Sequence, residues 1–159
     1  MADMSGDGLS DLVCVQNGSV SYWPNKGYGR FGSEIIMDNA LFLDFCELFD
    51  YRRVRFTDID GSETSDLLYL TPNGVKIYRN NVGNSWEVEQ DLSILPYFVN
   101  DYTTVDVVDL LGIGIACIVW SSNLPGDIIC SMLYLNLMNG RKPHLLIKVR
   151  NNLGVDIYI

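Results

Sequence analysis

The chain has few basic residues, no long apolar run and no N-terminal segment of the kind found in signal peptides. Its 11 basic residues are outnumbered by 20 acidic ones, which gives a formal charge of −9 over 159 residues. Nucleic acids and anionic membranes are bound by clustered lysine and arginine, so neither partner is expected. No run approaches the roughly 18 apolar residues of a membrane-spanning helix. The N-terminal MADMSGDG has neither a basic nor an apolar segment, so no signal peptide is expected.

Motifs of common enzyme classes are also missing. The sequence has no GxSxG elbow, no P-loop and no HExxH pair. Its one histidine, His144, restricts general acid–base designs. That residue lies in the strand-like run RKPHLLIK and is expected to be structural or exposed rather than catalytic. The sequence therefore predicts a protein that is not an enzyme.

The cysteines do not suggest a metal site. Cys14, Cys46, Cys117 and Cys130 are widely spaced and form no CxxC pair, which argues against zinc. Cys14 and Cys117 lie in the apolar runs LVCV and ACIV. We expect both to be buried, reduced core residues.

What the sequence does contain is a recurring aspartate loop. DMSGDGLSD (3–11) returns as DIDGSETSD (58–66) and, in a degenerate form, as DLLGIGIAC (109–117); we call these the first, second and third Asp loops. Their first aspartates, at 3, 58 and 109, are 55 and 51 residues apart. A period near 50 lies in the range of propeller blades.

The residues around each loop predict β-strands. Asn17-Gly18 and Asn73-Gly74 each lie between apolar or alternating runs, which is the strongest short-range signal for a hairpin. The alternating runs at 52–58 and 103–109 add a strand before the second and third loops. Four strands per repeat make up a propeller blade, so the fold class is all-β. Residues 38–49 are a short helix or an edge strand with a loop, and we interpret them as an insertion that covers the core.

The repeats predict a division of the chain. Residues 1–120 form about three blades of a partial β-propeller, and 121–159 form an exit segment of strands in which the repeat dissolves. The first Asp loop is preceded only by Met1-Ala2, and three blades cannot close a ring, which leaves sheet faces bare. We therefore expect a fragment or a shortened relative of a longer protein, one that self-associates or is marginally stable alone.

The Asp loops predict calcium binding. Oxygen donors occupy loop positions 1, 3, 5 and 9, with a backbone carbonyl at position 7 and a turn glycine at position 6, much as in an EF-hand loop. An all-oxygen set favours calcium over zinc or copper. Glu63 replaces the turn glycine of the second loop, so we expect calcium chiefly at the first, while the third lacks ligands; Asp-Gly turns can also cap strands without metal. The candidate ligands are Asp3, Ser5, Asp7, Leu9, Asp11, Asp58, Asp60, Ser62, Thr64 and Asp66.

The loop-and-hairpin repeat is similar to the FG-GAP/VCBS repeats of integrin-type β-propellers. A longer series of segments resembles the middle region of insecticidal toxin-complex (Tc) B components, the SpvB/TcdB-type toxin proteins. The segments are DMSGDGLSDLV, YWPNKGYGRFG, MDNA, DIDGSETSDLLYL, GNSW, DLLGIGIACIVWSS, LPGD, GRKPHLL and NNLG. Each is generic alone, but their order and spacing are specific.

The resemblance implies a role in a secreted bacterial toxin complex. In that family the propeller docks on a pore-forming A component and gates the passage of a toxic enzyme, which an Rhs-repeat shell of B and C components encloses. The partners implied are the A component, an Rhs-type C component and the remaining blades of a longer chain. The SpvB-type N-terminal portion and the Rhs repeats are absent here.

A second function class is an FG-GAP adhesion or carbohydrate-binding module stabilised by calcium. Aromatic residues could provide its binding surface if they are exposed, although aromatics on blade strands are more often part of the core. The residues concerned are Tyr22, Trp23, Tyr28 and Trp86. The GRKPHLL and NNLG segments favour the toxin interpretation.

Overall fold

The computed structural model describes residues 1–72, 74–88, 90–92, 103–124, 126, 131–138, 146, 148–150 and 156–158. The regular structure of these residues is almost entirely β-strand, with a 3-10 turn at Tyr51–Arg53 and no α-helix among them. None of the described helical segments is long and apolar enough to span a membrane. The expected all-β class is confirmed. The strands are β1 Leu12–Gln16, β2 Ser19–Trp23, β3 Ile35–Ile36, β4 Val54–Thr57, β5 Asp66–Thr71, β6 Gly74–Tyr78, β7 Asn80–Asn81, β8 Ser85–Trp86, β9 Gln90–Leu92, β10 Thr103–Val108, β11 Cys117–Ser122, β12 Met132–Asn136, β13 Lys148–Arg150 and β14 Asp156–Tyr158.

Three antiparallel sheets correspond to the three repeats. The first sheet has the order β1-β2-β3, the second β4-β5-β6-β9 and the third β10-β11-β12. The second sheet therefore has the four strands that the repeat predicts for a blade. Its first strand, β4, lies within the predicted 52–58 strand, and β10 matches the predicted 103–109 strand.

Both predicted hairpins form, with one difference in register. Gln16 pairs with Ser19, so Asn17-Gly18 is the turn, and of these two residues only Gly18 has a positive φ, at 93°, which glycine adopts readily. In the second hairpin Thr71 pairs with Gly74, so the turn falls one residue earlier than predicted and Gly74 already belongs to β6. Pro72 favours this placement because its ring fixes φ near the value of a turn's second residue. Asn73 lies outside the described residues.

The segment at 38–49 is irregular and covers the core, as the insertion interpretation expects. Leu41 and Leu43 are 3% and 0% exposed. The backbone amide of Leu43 donates to Oδ1 of Asn17 at 3.0 Å, and the Tyr78 hydroxyl donates to the Phe42 carbonyl at 2.9 Å. The insertion is thus tied to both the first and the second sheet.

Two hydrophobic clusters lie on opposite faces of the second sheet. Leu67 and Tyr69 of β5 pack in one cluster with residues of the first sheet, including Val20 and Tyr22. Leu68 and Leu70, on the other face, pack in a second cluster with residues of the third sheet. A strand buried on both faces reads as a continuous apolar run, which explains the LLYL of β5. The three sheets therefore stack face to face, as propeller blades do.

The third sheet continues beyond residue 120. Its strand β11 ends at Ser122, and β12 at 132–136 pairs with it along the whole strand. The described start of the 121–159 segment is therefore still part of the third blade. Farther on, β13 and β14 form an antiparallel pair, which agrees with the strands expected in this segment. His144 and Cys130 lie outside the described residues.

Candidate metal centre

The three Asp loops have one backbone conformation. Each joins two paired residues nine positions apart: Ala2 with Asp11, Thr57 with Asp66, and Val108 with Cys117. Loop positions 4 and 6 have positive φ in all three. The two angles are 76° and 83° in the first loop, 77° and 71° in the second, and 66° and 71° in the third. Five of these six residues are glycine, and the sixth is Glu63. The third loop keeps the shape without the ligands, so the shape does not depend on a metal.

The first aspartate of each loop holds that shape through hydrogen bonds. Asp3 accepts from the backbone amides of Gly6 and Gly8, both at 2.8 Å. Asp58 accepts from Gly61 at 2.7 Å and Glu63 at 3.0 Å, and Asp109 accepts from Ile113 at 3.1 Å and Gly114 at 2.7 Å. These amide donors hold the pKa of Asp109 below its usual range. These are Asx-type turns in which one carboxylate satisfies several amides.

The ninth loop position closes the first and second loops. Asp11 accepts from the amides of Met4 at 3.0 Å and Asn25 at 2.8 Å. Asp66 accepts in the same way from Ile59 at 3.0 Å and Asn80 at 2.8 Å. Both aspartates are buried, at 0% and 1% exposure. Cys117, at this position of the third loop, cannot accept in this way.

Within the described residues, the structure gathers three carboxylates in the second loop. Asp58, Asp60 and Asp66 each have an oxygen within 4.8 Å of the others. The aspartates of the first loop form no such group, although their spacing in the sequence is similar. Glu63 does not disturb the second loop, because it adopts the left-handed conformation of the glycine that it replaces, with φ of 71°. The sequence thus identified the candidate ligands but not which loop brings them together.

The remaining candidate ligands differ in their surroundings. The Ser5 hydroxyl is buried without a hydrogen-bond partner in the described structure. In the second loop the hydroxyls of Ser62 and Thr64 lie 3.0 Å apart, and Thr64 donates to the Asn80 carbonyl at 3.3 Å. Leu9, expected to offer its carbonyl, has an exposed side chain, and its backbone amide donates to Oδ1 of Asp7 at 2.9 Å.

Charges around the second loop are concentrated and only partly neutralised. Burial raises the pKa of Asp66 to about 6, against the amide hydrogen bonds from Asn80 and Ile59, and the negative charges of Asp60 and Asp58 raise it further. Nε of Arg79 lies 4.0 Å from Oδ2 of Asp60 and supplies one positive charge. A divalent cation would neutralise the rest.

Two asparagines that sequence reasoning missed complete the loops. Asn25 and Asn80 each follow the second strand of the hairpin after their loop, β2 and β6, and each lies 14 residues after the closing aspartate. Their side chains bind turn amides: Gly27 donates to Asn25 Oδ1 at 2.9 Å, and Gly83 donates to Asn80 Oδ1 at 2.8 Å. The recurrence of Asn in WPN and RNN was the signal available in the sequence.

The aromatic residues considered for carbohydrate binding are mostly unavailable. Tyr22 and Trp86 are 4% and 2% exposed and belong to the core between the first and second sheets. Trp23 is half-buried. Tyr28 is the exception, fully exposed with a φ of 52° at the tip of a loop.

The chain is similar to several solved toxin structures. It aligns with TcdB2-TccC3 at a TM-score of 0.82 and 30% identity, over 98% of this chain and 7% of that one. It also aligns with the Photorhabdus luminescens Tc holotoxin pore, which carries a TccC3 mutation, at a TM-score of 0.79 and 31% identity. That alignment covers 98% of this chain and 7% of the other. The chain thus spans about 7% of the length of these toxin chains.

A lectin shares the fold alone. The chain aligns with the Agrocybe aegerita lectin that recognises non-reducing terminal N-acetylglucosamine at a TM-score of 0.57 and 20% identity, over 76% of this chain and 31% of that one. No protein-family model matches the chain. No curated protein matches it either.

Proposed function

Because this chain is a Tc-toxin B-component-like region, we propose that it acts as a non-catalytic propeller segment of a toxin complex outside the producing cell. In this role it docks on a pore-forming A component and helps to gate the passage of an enclosed toxic enzyme. An Rhs-type C component is the second partner. The observation that supports the proposal is the joint agreement of fold and sequence with TcdB2-TccC3, at 30% identity over 98% of the chain.

An exposed apolar patch on the insertion and the 3-10 turn that follows it is a suitable docking surface. Phe42, Phe45, Leu48 and Tyr51 are 56%, 69%, 60% and 76% exposed. The rings of Phe42 and Phe45 meet edge to face with centroids 5.7 Å apart. Because the insertion is hydrogen-bonded to Asn17 and Tyr78, these side chains are presented on a fixed base. Exposed apolar residues gathered in one short segment in this way mark interaction sites.

Binding of the 159-residue chain to a purified Tc A component tests the docking role. We expect saturable binding in biolayer interferometry, weakened at least about tenfold by Phe45→Ser or Leu48→Ser, because each removes apolar area from the patch. Tyr28→Ser is the control, since Tyr28 is fully exposed and lies beyond the end of the β1-β2 hairpin opposite the Asn17-Gly18 turn, to which the insertion is bound. Absence of binding by the parent chain, or equal loss in the control, would contradict the docking role.

Calcium is the second part of the proposal. The residues of both intact loops fit a hard cation: the second loop gathers three carboxylates, and the first has the buried, unpartnered hydroxyl of Ser5. The amide hydrogen bonds do not exclude a cation, since Oδ2 of Asp3 and Oδ2 of Asp58 each accept from one amide and keep a further lone pair. Asp58, Asp60 and Asp66 would hold it in the second loop, and Asp3, Ser5 and Asp7 in the first. Bound calcium would supply the charge that offsets the repulsion among the aspartates.

A further inference from the structure

Each sheet has two faces with different partners along the chain. We call the face that meets the previous sheet the leading face and the opposite one the trailing face. In the second sheet the leading face contains Leu67, Tyr69 and Tyr78, which pack in the cluster shared with the first sheet. Its trailing face contains Leu68, Leu70 and Ile77, which pack in the cluster shared with the third sheet. The chain therefore builds the same trailing-to-leading contact twice.

The leading face of the first sheet is uncovered in the described structure. Leu12 pairs with Trp23, and Cys14 pairs with Ser21, which pairs in turn with Ile36, so these residues share one face. Leu12 and Ile36 are 46% and 68% exposed, whereas Leu67, which occupies the place of Leu12 in the second sheet, is 0% exposed. The sequence predicts that Cys14 is buried, but the structure leaves it half-buried, because it lies on this uncovered face.

The trailing face of the third sheet is uncovered in the same way. Val119 pairs with Tyr134 and Ser121 with Met132, on the side of the sheet opposite Ile118 and Trp120. Tyr134 and Met132 are 53% and 58% exposed. Ile77 and Val75, which occupy the same places in the second sheet, are 4% and 0% exposed.

We propose that the leading face of the first sheet binds the trailing face of the third sheet in a second copy of the chain. The two uncovered faces are the two halves of a contact that the chain already makes between its first and second sheets and again between its second and third. The contact joins different patches of the two copies, so it is heterologous, and each copy keeps one free face for another. On the trailing face, the apolar side chains of β11 and β12 form the centre, and Thr104 and Asp106 of the edge strand β10 form the margin. An apolar core with a polar rim is the usual composition of an interface.

Analytical ultracentrifugation of the full chain over a range of concentrations tests the proposal. We expect reversible association in the parent. Ile36→Glu on the leading face and Met132→Glu on the trailing face should each raise the dissociation constant at least about tenfold, because each places a charge in an apolar contact. Both residues are largely exposed in the single chain, so unchanged circular dichroism and melting temperature should accompany the loss. Val88→Glu is the control.

Mixing the two variants separates this geometry from others. The Ile36→Glu chain keeps its trailing face and the Met132→Glu chain keeps its leading face, so an equimolar mixture should form a 1:1 complex through one intact contact. Three results would overturn the proposal. They are a parent that stays monomeric at high concentration, association abolished by only one of the two variants, and loss in both variants without recovery on mixing.

Discussion

The side-chain amide of Asn80 donates to the backbone carbonyl of Met4 at 2.9 Å and so joins the second sheet to the first Asp loop across 76 residues of chain. The same amide donates to the Ser65 carbonyl at 3.1 Å, and the asparagine oxygen accepts from Gly83. The residue is 7% exposed, and each of its side-chain polar atoms has a partner. A second link lies beside it, where the amide of Ser65 donates to the Asp3 carbonyl at 2.7 Å.

We therefore expect Asn80→Ala to lower the free energy of unfolding by about 3 kcal/mol, because it leaves a buried carbonyl and a buried amide without partners, each costing about 1–3 kcal/mol. Asn25→Ala is the matched control: its amide donates to the exposed Ser10 carbonyl within the first repeat, so its loss should cost about 1 kcal/mol. Urea unfolding measures both. Equal costs would mean that the contact with Met4 adds nothing.

Glu63 offers a test of the loop conformation. Because a side chain at positive φ costs about 1–2 kcal/mol relative to glycine, Glu63→Gly should raise the free energy of unfolding by up to about 1 kcal/mol after the gain in unfolded-chain entropy is subtracted. The reciprocal change Gly8→Ala, at φ of 83° with open space around an added Cβ, should lower it by about 1 kcal/mol. Destabilisation by Glu63→Gly in urea would show that the glutamate makes an interaction worth more than its strain.

Calcium should raise the melting temperature of the folded chain, by an amount equivalent to about 2.7 kcal/mol at a hundredfold excess over the dissociation constant. Because the second loop gathers its carboxylates, Asp60→Ala should remove more of the rise than Asp7→Ala, the reverse of the order that the sequence predicts. Differential scanning calorimetry with calcium and with chelator measures the effect. A melting temperature indifferent to both, in the parent and in the two variants, would reduce the loops to Asx turns.

The raised pKa of Asp66, about 6, makes calcium binding depend on pH. Below pH 6 the folded chain holds a proton on this carboxyl, and calcium must displace it, so affinity for the second loop should fall between pH 7 and 5. Without calcium, acid has a stabilising effect through this residue. The folded state takes up the proton at a higher pH than the unfolded state does, so Asp66 adds to the free energy of unfolding as the pH falls from about 6 toward 4.

Isothermal titration of an Asp7→Ala chain, which weakens the first loop, follows this effect at pH 7 and 5.5 in buffers of different ionisation enthalpy. Proton release on calcium binding at pH 5.5, together with weaker affinity, is the expected result. Unchanged affinity and no proton release would place the pKa of Asp66 near that of an ordinary aspartate.

Local sequence signals identified the strands and loops, and long-range packing decided the rest. Asn17-Gly18 specifies its turn through the positive φ that Gly18 can adopt, and the LLYL of β5 has the composition of a strand buried on both faces. The sequence could not show which loop brings its carboxylates together, because the first and second loops have nearly the same ligand spacing and differ only in how the side chains group in three dimensions. Tyr22 and Trp86 were likewise ambiguous, since their burial depends on a neighbouring sheet.

The position of the second sheet between two hydrophobic clusters has a consequence for how the molecule opens. Either outer sheet can detach by exposing one cluster, whereas the second sheet cannot open without exposing both. In a stack coupled only between nearest neighbours, local opening costs least at the ends and most in the middle. Hydrogen exchange should therefore be slowest at the amides of β5 and β6, with β1 and β12 exchanging through partial unfolding that leaves the centre intact.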